Sequence, residues 1–186
     1  MSTRQSASEP ASLRTKASRP PRFIADAMLG KLARWLRVAG FDVVYDPRLD
    51  DRQLVALARH DDRILLTRDT LLARRRNGPR TLHIENDDFR EQLRQVVATY
   101  ALDPWRRVLT RCVDCNGLLG PVPREEVREQ VPVYVYFTRA EFKRCPSCSK
   151  ILWGGTHRDR MLRLLERLFG SPGGSRRCTP AHSRKQ

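Results

Sequence analysis

Two short cysteine pairs constrain this chain more than anything else in it. Cys112-x-x-Cys115 and Cys145-x-x-Cys148 stand 29 residues apart, and each pair is spaced to aim two thiolates at one tetrahedral ion. Asn116-Gly117 follows the first pair and Pro146 sits inside the second, giving tight turns that offer backbone N–H groups to sulfur. Four thiolates close the coordination shell and leave no position for substrate, so the expected ion is Zn²⁺ acting as a folding staple. Disulfides are the alternative outlet, one disfavoured in a cytosolic chain. A fifth cysteine, Cys178, has no partner in the sequence and is expected to be a free thiol. The cysteines predict a small zinc ribbon over residues 105–170, with Tyr134 to Phe137 and Ile151 to Trp153 as short antiparallel strands. An amphipathic helix, Thr156 to Phe169, closes it, with Thr156 as N-cap and Met161, Leu162, Leu164, Leu165 and Leu168 on its apolar stripe.

Upstream the pattern is different. Phe23-Ile24-Ala25 is a buried-strand run, and Met28 to Ala39 carries Leu29, Leu32, Ala33, Leu36 and Ala39 at helical spacing with Gly40 as its stop. Phe41 to Tyr45 forms the next strand, ended by Asp46-Pro47, and Asp50 or Asp51 caps a helix carrying Leu54, Val55, Leu57 and Ala58. Ile64-Leu65-Leu66 is a third strand, Leu71-Leu72 starts a short helix, Thr81 to Ile84 is a fourth strand, and a last helix spans Phe89 to Tyr100. Strands that alternate with helices and are apolar on both faces predict a parallel sheet flanked by helices. Residues 23–104 are therefore expected to form an α/β domain.

The formal charge is +15, but residues 1–22 and 171–186, which lack apolar periodicity and are expected to be disordered tails, carry +8 of it. The remainder supports a polyanionic partner without establishing one. No apolar run approaches the roughly 20 residues of a membrane span. Nor does the N-terminal stretch have the apolar core of a secretory signal, so no membrane and a cytoplasmic location are expected.

Three aspartates fall at matching junctions of the α/β pattern. Asp26 follows strand one, Asp51, with Asp50, opens the helix after strand two, and Asp69 follows strand three. In a parallel sheet these ends share one edge, where open α/β folds place their sites. Carboxylates gathered there repel unless a cation neutralises them, and hard oxygen ligands suit Mg²⁺ or Mn²⁺. The chemistry served would be phosphodiester hydrolysis. The bland alternative for each is a helix N-cap. Lys31, Arg34 and Arg37 share one helical stripe and Arg68 adjoins Asp69, which makes all four candidate phosphate contacts. A solvated basic face would look the same.

Phe23-Ile24-Ala25-Asp26 leading into Leu29-Gly30-Lys31-Leu32-Ala33-Arg34-Trp35-Leu36-Arg37, then Arg63-Ile64-Leu65-Leu66-Thr67-Arg68-Asp69, closely resembles the Mut-seven C-terminal RNase family, the domain at the C-terminus of Mutator-type exonucleases. Both knuckles and Trp153-Gly154-Gly155-Thr156-His157-Arg158-Asp159-Arg160-Met161 extend the resemblance to roughly residues 22–169. It implies a PIN-like fold, RNA cleavage with a divalent metal, and a C-terminal zinc ribbon. It also implies that Asp26, Asp51 and Asp69 are the catalytic acids. A further acidic residue usual in PIN domains has no clear counterpart, with Asp46 and Asp50 as candidates and Asp87 within reach of the same edge.

The competing reading is a non-catalytic RNA- or protein-binding module in which the acids only cap helices. A receiver-like phospho-acceptor domain also gathers aspartates on this edge, but the attached ribbon counts against it. Convergence of the three carboxylates separates enzyme from module.

Overall fold

The computed structural model describes residues 20–173. Residues 1–19 and 174–186, which hold most of the two expected tails and Cys178, lie outside the described residues.

Four parallel strands form the first sheet: β1 (Arg22–Ala25), β2 (Asp42–Tyr45), β3 (Ile64–Thr67) and β4 (Thr81–His83), in the order β2-β1-β3-β4. Helices α1 (Gly30–Val38), α2 (Asp51–His60), α3 (Thr70–Ala73) and α4 (Phe89–Thr99) alternate with them. The strand period of two divides the side chains between two cores. Phe23, Ala25, Ile64 and Leu66 join Leu32, Leu36, Leu93 and Val96 of α1 and α4 on one face, while Ile24 and Leu65 meet Leu54, Val55, Ala58 and Leu72 of α2 and α3 on the other. Because β3 is buried on both faces, truncating Leu65 or Leu66 to Ala would cost on the order of 2–5 kcal/mol. The chain leaves α1 at Gly40, whose φ of +87° needs glycine. A Cβ there would also strike the Arg107 carbonyl.

The second sheet is antiparallel, β5 (Gly120–Val122), β6 (Phe142–Arg144) and β7 (Ile151–Trp153). The strand expected at Tyr134 to Phe137 is instead a short helix, α5 (Val133–Thr138). Pro132 holds the turn before it with φ −55°, and Tyr136 N–H bonds back to the Pro132 carbonyl. Alternating Tyr and Val looked like a strand, yet Val135 and Tyr136 pack inward while Val133, Tyr134 and Phe137 face solvent. The missing strand is β5, whose Gly-Pro pair carries no strand signal; Pro121 is tolerated because β5 is an edge.

The last helix, α6 (Thr156–Phe169), has Gly155 rather than Thr156 at its N-cap, with no side-chain cap bond. The sequence grouped this helix with the ribbon. In the structure its Leu165 is fully buried in the same core as Phe23 and Leu36, and Trp105 Nε1 donates to the Gly170 carbonyl at its end. Among the described residues no helix is long and apolar enough to cross a membrane.

Candidate functional site

The strand order reverses between β1 and β3. From β1 the chain steps out to β2, then returns across β1 to β3, so the carboxyl ends of β1 and β3 flank the crevice where α/β sheets bind ligands. Asp26 is the first residue beyond β1, fixed by its N–H on the Leu66 carbonyl at 3.0 Å. Thr67, the last residue of β3, is fully buried; its hydroxyl donates to Asp26 Oδ2 at 2.7 Å and accepts from the Asp69 N–H at 3.0 Å. One hydroxyl thus ties Asp26 and Asp69 together across the crevice.

Both aspartates are also caps. Asp26 Oδ1 accepts from Met28 N–H at 3.2 Å, and Asp69 Oδ1 accepts from Leu71 and Leu72 N–H at 2.6 and 3.0 Å. Capping occupies one oxygen of each. Asp69 Oδ2 has no hydrogen bond among the described residues. Met28 and Leu71, just beyond the two aspartates, are 67% and 82% exposed. Nothing in the sequence pattern singled them out, since large apolar residues at helix starts normally turn inward.

Asp51 is not drawn into this pair. It is the exposed first residue of α2, beside a capping box in which Asp50 accepts from Gln53 N–H and the Gln53 side chain accepts from Asp50 N–H. Among the described residues, the four cysteines are the one group of three or more Cys, His, Asp or Glu gathered tightly enough to share an ion. In place of three gathered carboxylates, Thr67 links the Asp26 carboxylate to the Asp69 backbone N–H. Of the further acidic candidates, Asp46 is held by Arg48 through bonds of 2.8 and 3.0 Å, which lower its pKa to about 2. Asp50 is committed to capping, and Asp87 pairs with Arg68.

The four basic candidates separate. Lys31 is exposed, with Nζ 4.3 Å from the Phe89 ring centre, and Arg34 is exposed one turn on. Arg68 is engaged by Asp87. Arg37 is only 5% exposed and is not available to a phosphate. Its Nε donates to the Val43 carbonyl at 3.0 Å, and Nη1 donates to the carbonyls of Val113 and Asp114 at 3.1 and 2.8 Å. Burial lowers its pKa against the pull of nearby Cys115 and Cys112. Arg37 is thus a strut that fastens the first cysteine knuckle to the α/β domain. Asp42 reinforces the joint by accepting from Arg63, Asn116 and Arg111 at 2.6, 2.9 and 3.4 Å. Charged residues on a strand edge gave no sign of this in the sequence.

At the knuckles the fold repeats itself. Asn116 N–H bonds the Cys112 carbonyl and Ser149 N–H the Cys145 carbonyl, both at 2.9 Å, and Asn116 and Ser149 take matching left-handed φ values of 71° and 60°. Gly117 is required by closeness: a Cβ there would sit 2.9 Å from Cys145 Sγ and 2.8 Å from Ser147 Oγ. Sulfur separations include 3.7 Å for Cys112–Cys148 and 3.3 Å for Cys115–Cys145, and all four lie within 4.8 Å of one another. These are far beyond a disulfide bond of about 2 Å. They suit sulfurs each about 2.3 Å from one central ion. Burial raises the Cys145 thiol, but N–H groups of Cys148 and Ser147 and the Cys115 thiol outweigh it and bring the pKa to about 7. Desolvation and the neighbouring thiols push Cys115 up to about 12. The four cysteines fit a zinc ribbon.

The chain was compared with known proteins. A family model described as the Mut7-C RNAse domain matches residues 21–165, which takes in the parallel sheet, the cysteine centre and most of α6. No curated protein and no solved structure matches it.

Proposed function

The chain belongs to the Mut7-C RNAse domain family, and from that premise we propose that it is a ribonuclease that hydrolyses RNA phosphodiester bonds at Asp26 and Asp69 with a divalent metal. The carrying observation is the Asp26–Thr67–Asp69 bridge at the sheet's switch point. A stability role alone explains each cap, but not a buried hydroxyl that fixes the Asp26 carboxylate and holds the Asp69 backbone N–H at that place.

Each side chain has a task in this reading. Thr67 donates to Asp26, which fixes the direction of that carboxylate. The oxygens of Asp26 and Asp69 not used in capping would hold Mg²⁺ or Mn²⁺, whose contribution is to lower the pKa of attacking water and neutralise charge on the phosphate. Asp51, the exposed first residue of α2, is the remaining acid of the expected set and stands outside the pair. Lys31 and Arg34 take the phosphates flanking the scissile bond. Met28 and Leu71 offer apolar surface to bases on either side of the two aspartates. Zn²⁺ at Cys112, Cys115, Cys145 and Cys148 is structural, and the site of action is cytoplasmic.

The capping bonds of Asp26 and Asp69 favour a second reading, a binding module without catalysis. The two separate on incubating the full chain with single-stranded and structured RNA, with Mg²⁺ or Mn²⁺ and with a chelator followed by metal restoration. Cleavage that needs metal and falls by orders of magnitude in Asp26→Asn and Asp69→Asn, with melting unchanged, supports the enzyme. Binding without cleavage in the parent, or cleavage undiminished in both variants, overturns it.

A further inference from the structure

A second concave surface lies away from the carboxylates. It occupies about 660 Å³ between the ribbon sheet and the start of α6, a size that encloses a ligand on the scale of a nucleotide. Tyr134 and Trp153 line it, with Arg34, Arg139, Lys143 and Arg158, against the single acid Glu141. Among the described residues none of those four cations has a carboxylate partner. Tyr134 is 70% exposed on α5, an unusual place for a large ring.

The Trp-Gly-Gly-Thr-His-Arg segment forms the floor. A Cβ on Gly154 would lie 3.2 Å from Arg158 Nη1, and one on Gly155 would lie 3.9 Å from the Trp153 indole, so bare backbone separates a guanidinium from an indole edge. Helices α2, α3 and α4 are each capped by an aspartate, Asp50, Asp69 and Asp88, whereas α6 has no side-chain cap and its first turn lines the cleft. The helix start adds donors and positive potential to a wall that is already basic.

We propose that this cleft binds a single-stranded segment of RNA, its bases stacking on Tyr134 and Trp153 and its phosphates meeting Lys143, Arg158 and Arg34. Charge chooses the occupant: four unpaired cations and two rings match a polyanion with flat faces, the combination that single-strand binders use. Position links it to the crevice. Helix α1 begins beside Asp26, and Lys31 and Arg34 step along it, about 4.5 Å apart along the axis, toward the cleft. An RNA strand leaving the aspartates therefore crosses Lys31 and Arg34 before its flanking nucleotides enter the cleft. The path rests on the ribonuclease reading, but the cleft itself does not.

The test uses the full chain carrying Asp26→Asn, so that RNA binds without turnover, and follows anisotropy of a labelled single strand of about a dozen nucleotides. An abasic strand of equal length and a blunt duplex serve as probes of stacking. Tyr134→Ala should weaken the single strand about tenfold and leave the abasic strand unaffected. Lys143→Ala with Arg158→Ala should lower the salt slope of binding by about two. All three side chains are exposed, and unchanged melting confirms an intact fold. With Asp26 restored, Tyr134→Ala should raise KM on the long strand while leaving cleavage of a dinucleotide unchanged, since the dinucleotide cannot reach the cleft. Parent-like affinity and salt slope in these variants overturn the cleft. So does a Tyr134→Ala effect seen only as dissociation of a self-associated chain, which would make the face an interface between copies. Tyr134-dependent binding in a parent that cleaves nothing leaves the cleft standing and removes the ribonuclease reading.

Discussion

Replacing Arg37 by Met separates a structural strut from a phosphate contact. Methionine retains an unbranched apolar stem in the space beneath α1 while removing all donors. Three carbonyl bonds disappear, to Val43, Val113 and Asp114, of which the first two are buried. At about 1.5–3 kcal/mol each for bonds involving a charged group, the gross loss over the three bonds is about 4.5–9 kcal/mol. Sparing the guanidinium its desolvation returns much of this, which leaves a net destabilisation of about 2–3 kcal/mol. Two of the three acceptors belong to the first knuckle, so the loss should appear first there. Denaturant unfolding should show the lower midpoint, and hydrogen exchange should show Val113 to Asn116 opening before β1 and β3. RNA affinity per folded molecule should keep its salt slope, because no phosphate contact is removed. A variant as stable as the parent, with a slope lower by about one, would place Arg37 on the RNA backbone and refute the strut.

Other outcomes follow from the same geometry. Cys148→Ser leaves three thiolates, so native mass spectrometry should find the bound zinc lost and the β5–β7 sheet unprotected, whereas Leu165 keeps α6 on the α/β core; one full zinc per chain in the variant would contradict this. Burial raises the pKa of Asp42, but bonds from Arg63 and Asn116 and the charge of Arg111 outweigh it and lower it overall. Its stabilising contribution is therefore present above the unfolded pKa near 4 and is lost as pH falls through the lowered value. Asp42→Asn should be less stable at neutral pH and lose less on acidification, which parallel melts from pH 7 to pH 3 would check. Lys31→Ala with Arg34→Ala should leave melting within about 0.5 kcal/mol of the parent yet lower the salt slope of RNA binding by about two.

The parallel domain was legible because its signals are redundant. Strands β1 to β3 each carry a short apolar run, each helix starts at an aspartate or stops at a glycine, and the two periods never conflict along residues 23–99. The ribbon was legible only at its cysteines. Val133–Thr138 alternates like a strand, and its helix is set by Pro132 and by contacts to Val127 and Phe142 that no local window contains. The apolar stripe of α6 was read correctly, but a stripe does not name its partner, and the helix crosses back to the first core. Arg37 failed for a related reason. It shares a helical stripe with Lys31 and Arg34, and only the docked knuckle turns the end of that stripe into an interior.

Whether an aspartate after a strand is a cap or a ligand cannot be decided by position, since both roles want a carboxylate beside free backbone N–H groups. At these two positions the roles do not compete for the same oxygen. A cap needs one oxygen, and at Asp26 and Asp69 that is what the turn takes, Oδ1 in both cases. Thr67 then takes Oδ2 of Asp26 alone, as a donor to one lone pair, and fixes the carboxylate plane without closing the oxygen to a second partner. Asp51 lacks any such fixing bond, while its neighbour Asp50 does the capping. The two aspartates at the switch point are thus held in place by their capping bonds and by Thr67, which in the proposed reading would preorganise a metal site. Thr67→Val isolates this effect, because it keeps the shape and both charges while freeing Asp26 to rotate and leaving the Asp69 N–H without its acceptor. If the bridge preorganises a metal site, affinity for Mn²⁺ should fall by about tenfold or more, a second-sphere effect of ordinary size. Loss of two partly buried bonds should lower stability by about 1–3 kcal/mol. Manganese titration by calorimetry alongside thermal melts would resolve the two, and stability lost with Mn²⁺ affinity unchanged would return both aspartates to the role of caps.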